Sequence, residues 1–231
     1  KAKKELGDRV LSGDIGCYSL GAYAPLNAYD TSVCMGAGFG IASGLARGQS
    51  GPVIGHLGDS TFFHSGIPAM IDAVFNNTKV TLVVLDNSAT SMTGFQPHPG
   101  APANNQPGIK IEDVVRACNV KFVEVVNCFD LKQTTDAVER AIRFNGPSVI
   151  ISRGMCAILS ARNKRQAGVK TLPYIINQET CTKCKLCVNS LGCPAITIDN
   201  GNVVIDAAQC DGCGLCAQVC PTKSISQGGS K

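Results

Sequence analysis

The sequence predicts an α/β domain, a mainly parallel sheet with helices on both faces, followed by a small cysteine-rich α+β domain. Three observations carry this. From Arg9 to about Arg153, short β-branched apolar runs alternate with helix-length patterns, as expected of a parallel sheet covered by helices. At Ala161 the stretch ARNKRQAGVK turns basic and polar. From Tyr174 onward two similar halves follow, YIINQETCTKCKLC…CPAITID and VVIDAAQCDGCGLCAQVCPTKSIS, a repeat of about 25 to 30 residues too short to bury a core by itself. The expected division is a first domain over 1–160, a linker over 161–173 and a second domain over 174–231. The chain of 231 residues has room for one domain of average size and a small one.

Strands are expected at 9–13, 53–57, 80–85, 122–126 and 148–152, and helices at 35–47, 65–76, 111–118 and 131–144. In the first helix Gly36, Gly40, Gly44 and Gly48 recur every four residues and so share a face. Each costs about 0.8 to 1 kcal/mol against alanine in a helix interior. Such a stripe implies a compensating close approach, either tight helix packing or a cofactor contact at Gly36. The segment 93–110 is rich in Pro, Gly and Asn and reads as a long functional loop.

Composition excludes several classes. A formal charge of +4, evenly spread, does not argue for nucleic acid. The opening KAKKELGD has no apolar run behind it, and no stretch has the ~18 consecutive apolar residues of a membrane span. The first residue is Lys1, which suggests a fragment or a processed chain. Eight of the thirteen cysteines fall between Cys181 and Cys220 with metal-cluster spacing, which favours cluster ligation over disulfides. Reduced thiols imply a cytoplasmic protein.

In the first half of the repeat Cys181, Cys184 and Cys187 are spaced C-x2-C-x2-C, and Cys193-Pro194 follows after five residues. In the second half Cys210, Cys213 and Cys216 are followed after three by Cys220-Pro221, the bacterial ferredoxin run whose fourth cysteine ligates the other cluster. The segment resembles two-cluster ferredoxins along its whole length. The crossed assignment puts Cys181, Cys184, Cys187 and Cys220 on one 4Fe-4S cluster, and Cys210, Cys213, Cys216 and Cys193 on the second. The longer gap before Cys193 departs from the pattern. Two zinc knuckles, with four ligands each and no interleaving, are the alternative.

The stretch 58–94 opens with Gly-Asp-Ser and leads through Asp86-Asn87 to SMTG. It places two hard oxygen donors, Asp59 and Asn87, at the carboxyl ends of two expected strands, where α/β sheets bind their ligands. Mg²⁺ takes oxygen ligands together with waters and substrate phosphates. The bland alternative makes Asp59 a helix cap and Asn87 a turn residue. The span from Gly58 to Asn87 also fits the thiamine diphosphate motif, which begins GDG or GDS and ends in Asn. GDIGCYSLG, MGAGFGIASG, GDSTFFHSG, LDNSATSMTG and QPHPG, in that order before the cysteine repeat, resemble the C-terminal part of α subunits in the indolepyruvate:ferredoxin oxidoreductase family, within the 2-oxoacid:ferredoxin oxidoreductase superfamily. The resemblance covers essentially the whole chain.

This resemblance implies a thiamine diphosphate bound with Mg²⁺ at Gly58, Asp59 and Ser60, the metal held by Asp59, Asn87 and the Ala89 carbonyl. It makes Met92 a candidate for the apolar prop beneath the bent cofactor, with Thr93 and Gly94 lining it. Cys17 and Tyr18 border the cofactor by position. His64 is a catalytic candidate, and both His64 and His98 could meet a carboxylate or relay protons; His56, in an apolar run, reads as core. Related enzymes often carry C-P-x-C where this chain has Asp14-Ile15-Gly16-Cys17, so Cys17, Cys34 and Cys156 are expected to be buried thiols rather than ligands of a third cluster.

The reaction implied is oxidative decarboxylation of an arylpyruvate such as indolepyruvate to an acyl-CoA and carbon dioxide, with electrons leaving through the two clusters to an external ferredoxin. The cofactor-activating Glu of thiamine enzymes belongs to a pyrimidine-binding domain that has no counterpart here. A missing region or a partner subunit is therefore expected to complete the site, in a hetero-oligomer. Pyruvate or 2-oxoglutarate are alternative substrates. A non-oxidative thiamine enzyme is opposed by the cysteine tail, and an electron-transfer module would fail to bind thiamine diphosphate.

Overall fold

The computed structural model describes residues 9–103 and 106–229; KAKKELGD and part of the loop 93–110 lie outside them. The chain forms two units. One takes in the described residues up to Leu20 together with Ala28–Cys156, and the other takes in Gly21–Asn27 together with those from Ala157 onward.

The first unit is built on six parallel strands: β1 (Val10–Gly13), β2 (Thr31–Ser32), β3 (Val53–Gly58), β4 (Thr81–Asp86), β5 (Phe122–Asn127) and β6 (Ser148–Arg153). Their order is β2-β1-β3-β4-β6-β5, and every neighbouring pair is parallel. The five expected strands are all present. The two-residue β2 is too short to leave a periodic signal. Strand order reverses at β1, whose neighbours are β2 and β3, so a crevice for ligands opens at the carboxyl ends beside β3.

Side-chain alternation shows how both faces are covered. On β4 and β6, Leu82, Val84, Val149 and Ile151 join a core with Phe39 and Ala42 of the helix Ala37–Gly48, Met70 and Ala73 of the helix Ile67–Phe75, and Ile111 and Val115 of the helix Ile111–Ala117. The intervening Val83 and Ile150 face the other way, onto Ala137 and Ala141 of the helix Leu131–Arg143. Strands buried on both faces are apolar at successive positions, so they read as continuous runs. Complete burial of a Leu or Ile side chain contributes about 1.5 to 3 kcal/mol, which makes β4 and β6 the rigid centre of the sheet.

Two expectations are corrected. The helix placed at 65–76 begins at Asp59: Asp59–Thr61 is α-helical, Phe62–Gly66 is a π turn, and Ile67–Phe75 is α-helical again. A π turn inserts an extra residue and shifts the apolar spacing, which hides the first turns from a 3.6-residue pattern. The glycine stripe does not mediate tight packing along its length either. Nothing lies within 4 Å of a Cβ built on Gly40, Gly44 or Gly48. Close approach is confined to its first residue, Gly36, where a Cβ would stand 2.9 Å from Ser65 Cβ, and to Gly38 off the stripe, where a Cβ would stand 2.5 Å from the His56 carbonyl oxygen.

In the second unit the stretch read as a linker begins inside the helix Ala157–Gln166. Its polar, basic composition resembles a linker because none of its side chains is buried. Beyond it, β7 (Tyr174–Ile176) pairs antiparallel with β10 (Ile225–Gln227), and β8 (Ile196–Asp199) with β9 (Asn202–Ile205). The short helices Leu186–Leu191 and Leu215–Val219 each begin within a cysteine run and contain its third cysteine, Cys187 or Cys216. Ile196, Val203 and Ile225 pack with Cys187 and Cys216 in a core too small to dispense with metal.

Candidate functional site

At the carboxyl end of β3, Gly58 is extended, and the chain turns directly into a helix at Asp59. The Asp59 side chain is buried. Its Oδ2 accepts the backbone N–H groups of Asn87 at 3.1 Å and Ser88 at 2.7 Å, from the turn that leaves the neighbouring strand β4. Its Oδ1 accepts the N–H of Ser60 at 2.8 Å. Parallel pairing of β3 with β4, Gly58 opposite Leu85, brings residues 28 apart in sequence onto one carboxylate. Ser88 takes a positive φ of 62°, so the turn can present consecutive N–H groups.

Asn87 is held at both ends. Its Nδ2 donates to Ser91 Oγ at 3.2 Å, its Oδ1 accepts the N–H of Ala89 at 3.1 Å, and its carbonyl oxygen accepts the N–H of Cys156 at 3.0 Å. Thr90 Oγ1 donates to Ser60 Oγ at 2.8 Å and ties the two loops together. An ion-pair network braces the turn from behind. Arg153 Nε donates to Asp86 Oδ2 at 2.6 Å, while its NH2 reaches Glu112 at 2.7 Å. The hydrogen bond from Arg153 holds the Glu112 carboxyl below its usual range.

These residues open on one cavity. Gly58, Asp59, Ser60, Asn87, Ala89, Met92, Thr93, Cys17 and Tyr18 all line it, so the structure brings together most of the residues expected at a cofactor. Ile15, Met35, Thr61, Thr90 and Ser91 line it too, although motif reading did not single them out. The donor set suits Mg²⁺. Asp59 Oδ1 and Asn87 Oδ1 each take one hydrogen bond from their own loop, which leaves a lone pair on both oxygens for a hard cation.

Three candidates stand elsewhere. His64 is exposed in the π turn and does not line the cavity. Gly36 gives its N–H to Asp14 Oδ1 at 2.9 Å, and its neighbour Met35 lines the cavity instead. Gly94, with a φ of 116°, ends the 3-10 turn Ser91–Thr93 without lining the cavity. Cys17 and Cys34 are exposed and Cys156 is half-buried, so the expectation of buried thiols is corrected. Cys17 opens the 3-10 helix Cys17–Ala22, and Cys34 and Cys156 lie beyond strand ends, so none of the three is in the sheet.

Asp14, fully buried at the end of β1, was passed over in the sequence. It accepts N–H groups from Gly36, Gly38 and Ile15 and thereby clamps the start of the helix Ala37–Gly48. The signal was its position, one residue beyond an apolar strand in a Gly-Asp pair, as at Asp59. Tyr18 is fixed nearby: its hydroxyl accepts the Gly58 N–H at 2.9 Å and donates to the Ile15 carbonyl at 3.1 Å. Burial, reinforced by Asp14, raises its pKa well above the ordinary phenol range and keeps it a neutral donor. His56 lies beneath, edge-on to the Tyr18 and Tyr29 rings, and burial lowers its pKa to about 4.

In the second unit Cys181, Cys184, Cys187 and Cys220 line one cavity. Cys193, Cys210, Cys213 and Cys216 line another, of about 260 Å³. Burial pushes the Cys216 thiol up to about 11. Cys220 also feels burial, but hydrogen bonds from Thr222 and the Ser224 N–H outweigh it and lower its pKa. Among the described residues no three His, Cys, Asp or Glu side chains close on a single metal ion.

A parallel sheet with paired oxygen donors at the carboxyl ends of its adjacent strands β3 and β4, followed by two thiol quartets, defines a diphosphate-binding domain joined to an iron-sulfur domain. The chain belongs to the thiamine pyrophosphate enzyme family, whose C-terminal TPP binding domain matches residues 14–152; a 4Fe-4S dicluster domain matches residues 173–221. It is 45% identical over 225 residues to indolepyruvate oxidoreductase subunit IorA of Archaeoglobus fulgidus, covering 96% of this chain and 36% of that protein. It is 40% identical over 239 residues to the same subunit of Methanothermobacter marburgensis, covering 100% of this chain and 38% of that one. The chain thus spans little more than a third of the length of these curated relatives. A 2-oxoglutarate:ferredoxin oxidoreductase from Magnetococcus marinus shares the fold, with a TM-score of 0.58 at 16% identity over 66% of this chain and 56% of its own. Among the described residues no helix is long and apolar enough to cross a membrane.

Proposed function

We propose that this chain is the cofactor-anchoring and electron-transfer part of a thiamine diphosphate-dependent 2-oxo acid:ferredoxin oxidoreductase. The substrate class is arylpyruvates such as indolepyruvate, converted with coenzyme A to an acyl-CoA and carbon dioxide. The observation that carries this reading is the combination, in one chain, of two spare hard-oxygen lone pairs at one cavity and two four-thiol cavities in the following unit.

Asp59, Asn87 and the Ala89 carbonyl would hold Mg²⁺. Bound thiamine diphosphate would supply the electron sink for loss of carbon dioxide, while the protein supplies orientation and electrostatics. The Ser60 hydroxyl and the positive end of the helix that starts at Asp59 favour diphosphate oxygens. Tyr18 fixes Gly58 so that this turn meets the diphosphate in one conformation. Ile15, Met35 and Met92 keep the wall above it apolar. Cys181, Cys184, Cys187 and Cys220 would ligate one 4Fe-4S cluster, and Cys193, Cys210, Cys213 and Cys216 the other. Partition of each quartet around its own cavity supports that crossed assignment.

The cofactor cavity holds about 70 Å³, well below the ~300 Å³ at which pockets bury a whole small ligand. This supports completion of the site by a pyrimidine-binding domain or partner subunit that carries the activating Glu. Electrons would pass to an external ferredoxin. The test is arylpyruvate-dependent ferredoxin reduction with coenzyme A, measured anaerobically for the whole protein and for these 231 residues alone. Reduction by the whole protein and none by the 231-residue chain supports the reading. Strong activity of the isolated chain would contradict it, as would aldehyde release without ferredoxin reduction.

A further inference from the structure

The loop beyond the Asn87 turn sends one side chain back to the carboxylate. We infer that His98 is a positioning residue for Asp59: its Nε2–H secures Oδ2 and so leaves Oδ1 aimed at the metal. The inference rests on the metal-site reading above and deepens it.

The His98 side chain is 4% exposed, and its Nε2 lies 3.2 Å from Asp59 Oδ2. The N–H of Gly100 donates to Nδ1 at 3.1 Å, so the neutral ring carries its proton on Nε2. That atom is fully buried and makes no well-angled hydrogen bond. The contact is thus within reach but bent, as often found where a ligand completes the alignment. Leaving a buried donor unpaired is costly, and Asp59 is the carboxylate it faces.

The donors are unevenly shared. Oδ2 has the N–H groups of Asn87 and Ser88 and the His98 imidazole, whereas Oδ1 has the N–H of Ser60. Two backbone hydrogen bonds and the imidazole facing the same oxygen favour one rotation of the carboxyl group and leave the other oxygen for a cation. Partners of this kind typically change metal affinity by 10 to 100-fold when removed.

The loop is shaped to deliver the ring. His98 forms an isolated β-bridge with Ala101, and its ring packs against Phe63 at 5.8 Å between centroids. A Cβ on Gly100 would stand 2.8 Å from the Phe63 ring and 3.1 Å from His98 Cε1, so this turn needs glycine. Phe63 lies in the π turn that follows Asp59. One helix therefore supplies both the ligand and the wall that orients its partner.

The test compares His98→Phe, which keeps an aromatic ring and removes the donor, with His98→Gln, whose amide reaches the Nε2 position. The intact protein, with its clusters in place and divalent metal stripped, is titrated with Mn²⁺ in the presence of thiamine diphosphate. Free Mn²⁺ is read by electron paramagnetic resonance, and the metal-free melting temperature is recorded for each variant. We expect Mn²⁺ affinity to fall about 10 to 100-fold in His98→Phe at an unchanged metal-free melting temperature. His98→Gln is expected to stay within a few-fold of wild type. If His98→Phe does not fold, His98→Asn, whose shorter amide occupies the Nδ1 position, takes its place against His98→Gln. Wild-type Mn²⁺ affinity in the donor-free variant overturns the inference alone, and so does equal loss in both variants. No Mn²⁺ binding by the wild-type protein overturns this inference together with the metal-site reading.

Discussion

In the proposed site Asp59 serves both fold and chemistry. Its Oδ2 closes the β4 turn, while its Oδ1 accepts the Ser60 N–H and keeps a lone pair that would bind a metal. Asp59→Asn keeps the shape but replaces one oxygen by an N–H₂ group, which would oppose either the backbone donors or the metal. We expect it to abolish Mg²⁺-dependent binding of thiamine diphosphate, read by calorimetry, with both clusters retained in the electron paramagnetic resonance spectrum. His56 makes a second prediction. Its pKa is about 4 in the folded chain because burial disfavours the charged ring, against about 6.5 unfolded. The unfolded chain therefore binds a proton first, and stability falls as pH drops from about 6.5 to about 4. His56→Phe, which cannot protonate, should flatten the melting-temperature profile across that window. An unchanged acid slope would show that other groups set it. The motif spacing made Asp59 and Asn87 legible. His98 was legible only as a histidine able to meet some carboxylate, and Asp14 was not legible, because their partners come from distant strands and loops that only the folded sheet brings together.

At the level of elements, the alternation of apolar runs made β1 and β3 to β6 readable: the central strands β3, β4 and β6 are apolar because both faces are covered, while the edge strand β5 showed itself by its β-branched residues rather than by burial. The start of the Asp59 helix was lost to the π turn at Phe62–Gly66, and the helix Ala157–Gln166 was lost to its polar surface. The cysteine halves were legible as spacing and are now seen as two cavities. Their crossed membership gives a sharp expectation: Cys193→Ser should impair the cluster shared with Cys210, Cys213 and Cys216 and leave the other intact. Cys220→Ser should do the reverse. Anaerobic iron analysis and electron paramagnetic resonance separate the two outcomes. Loss of the same cluster in both variants would contradict the interleaving and return attention to the five-residue gap before Cys193.

For the whole molecule, the proposed function gives the two units different labour, one anchoring the diphosphate and the other carrying electrons. In that proposal another domain or subunit grips the aminopyrimidine end of the cofactor, so holding the cofactor and activating it should be separable. In the proposed function the β3–β4 crevice is the Mg²⁺ and diphosphate anchor. Titration of thiamine diphosphate into the anaerobic protein, with and without Mg²⁺, tests it most directly. One site per chain is expected, requiring the metal and absent from Asp59→Asn. Binding that is indifferent to Mg²⁺, or that survives Asp59→Asn unchanged, would contradict it.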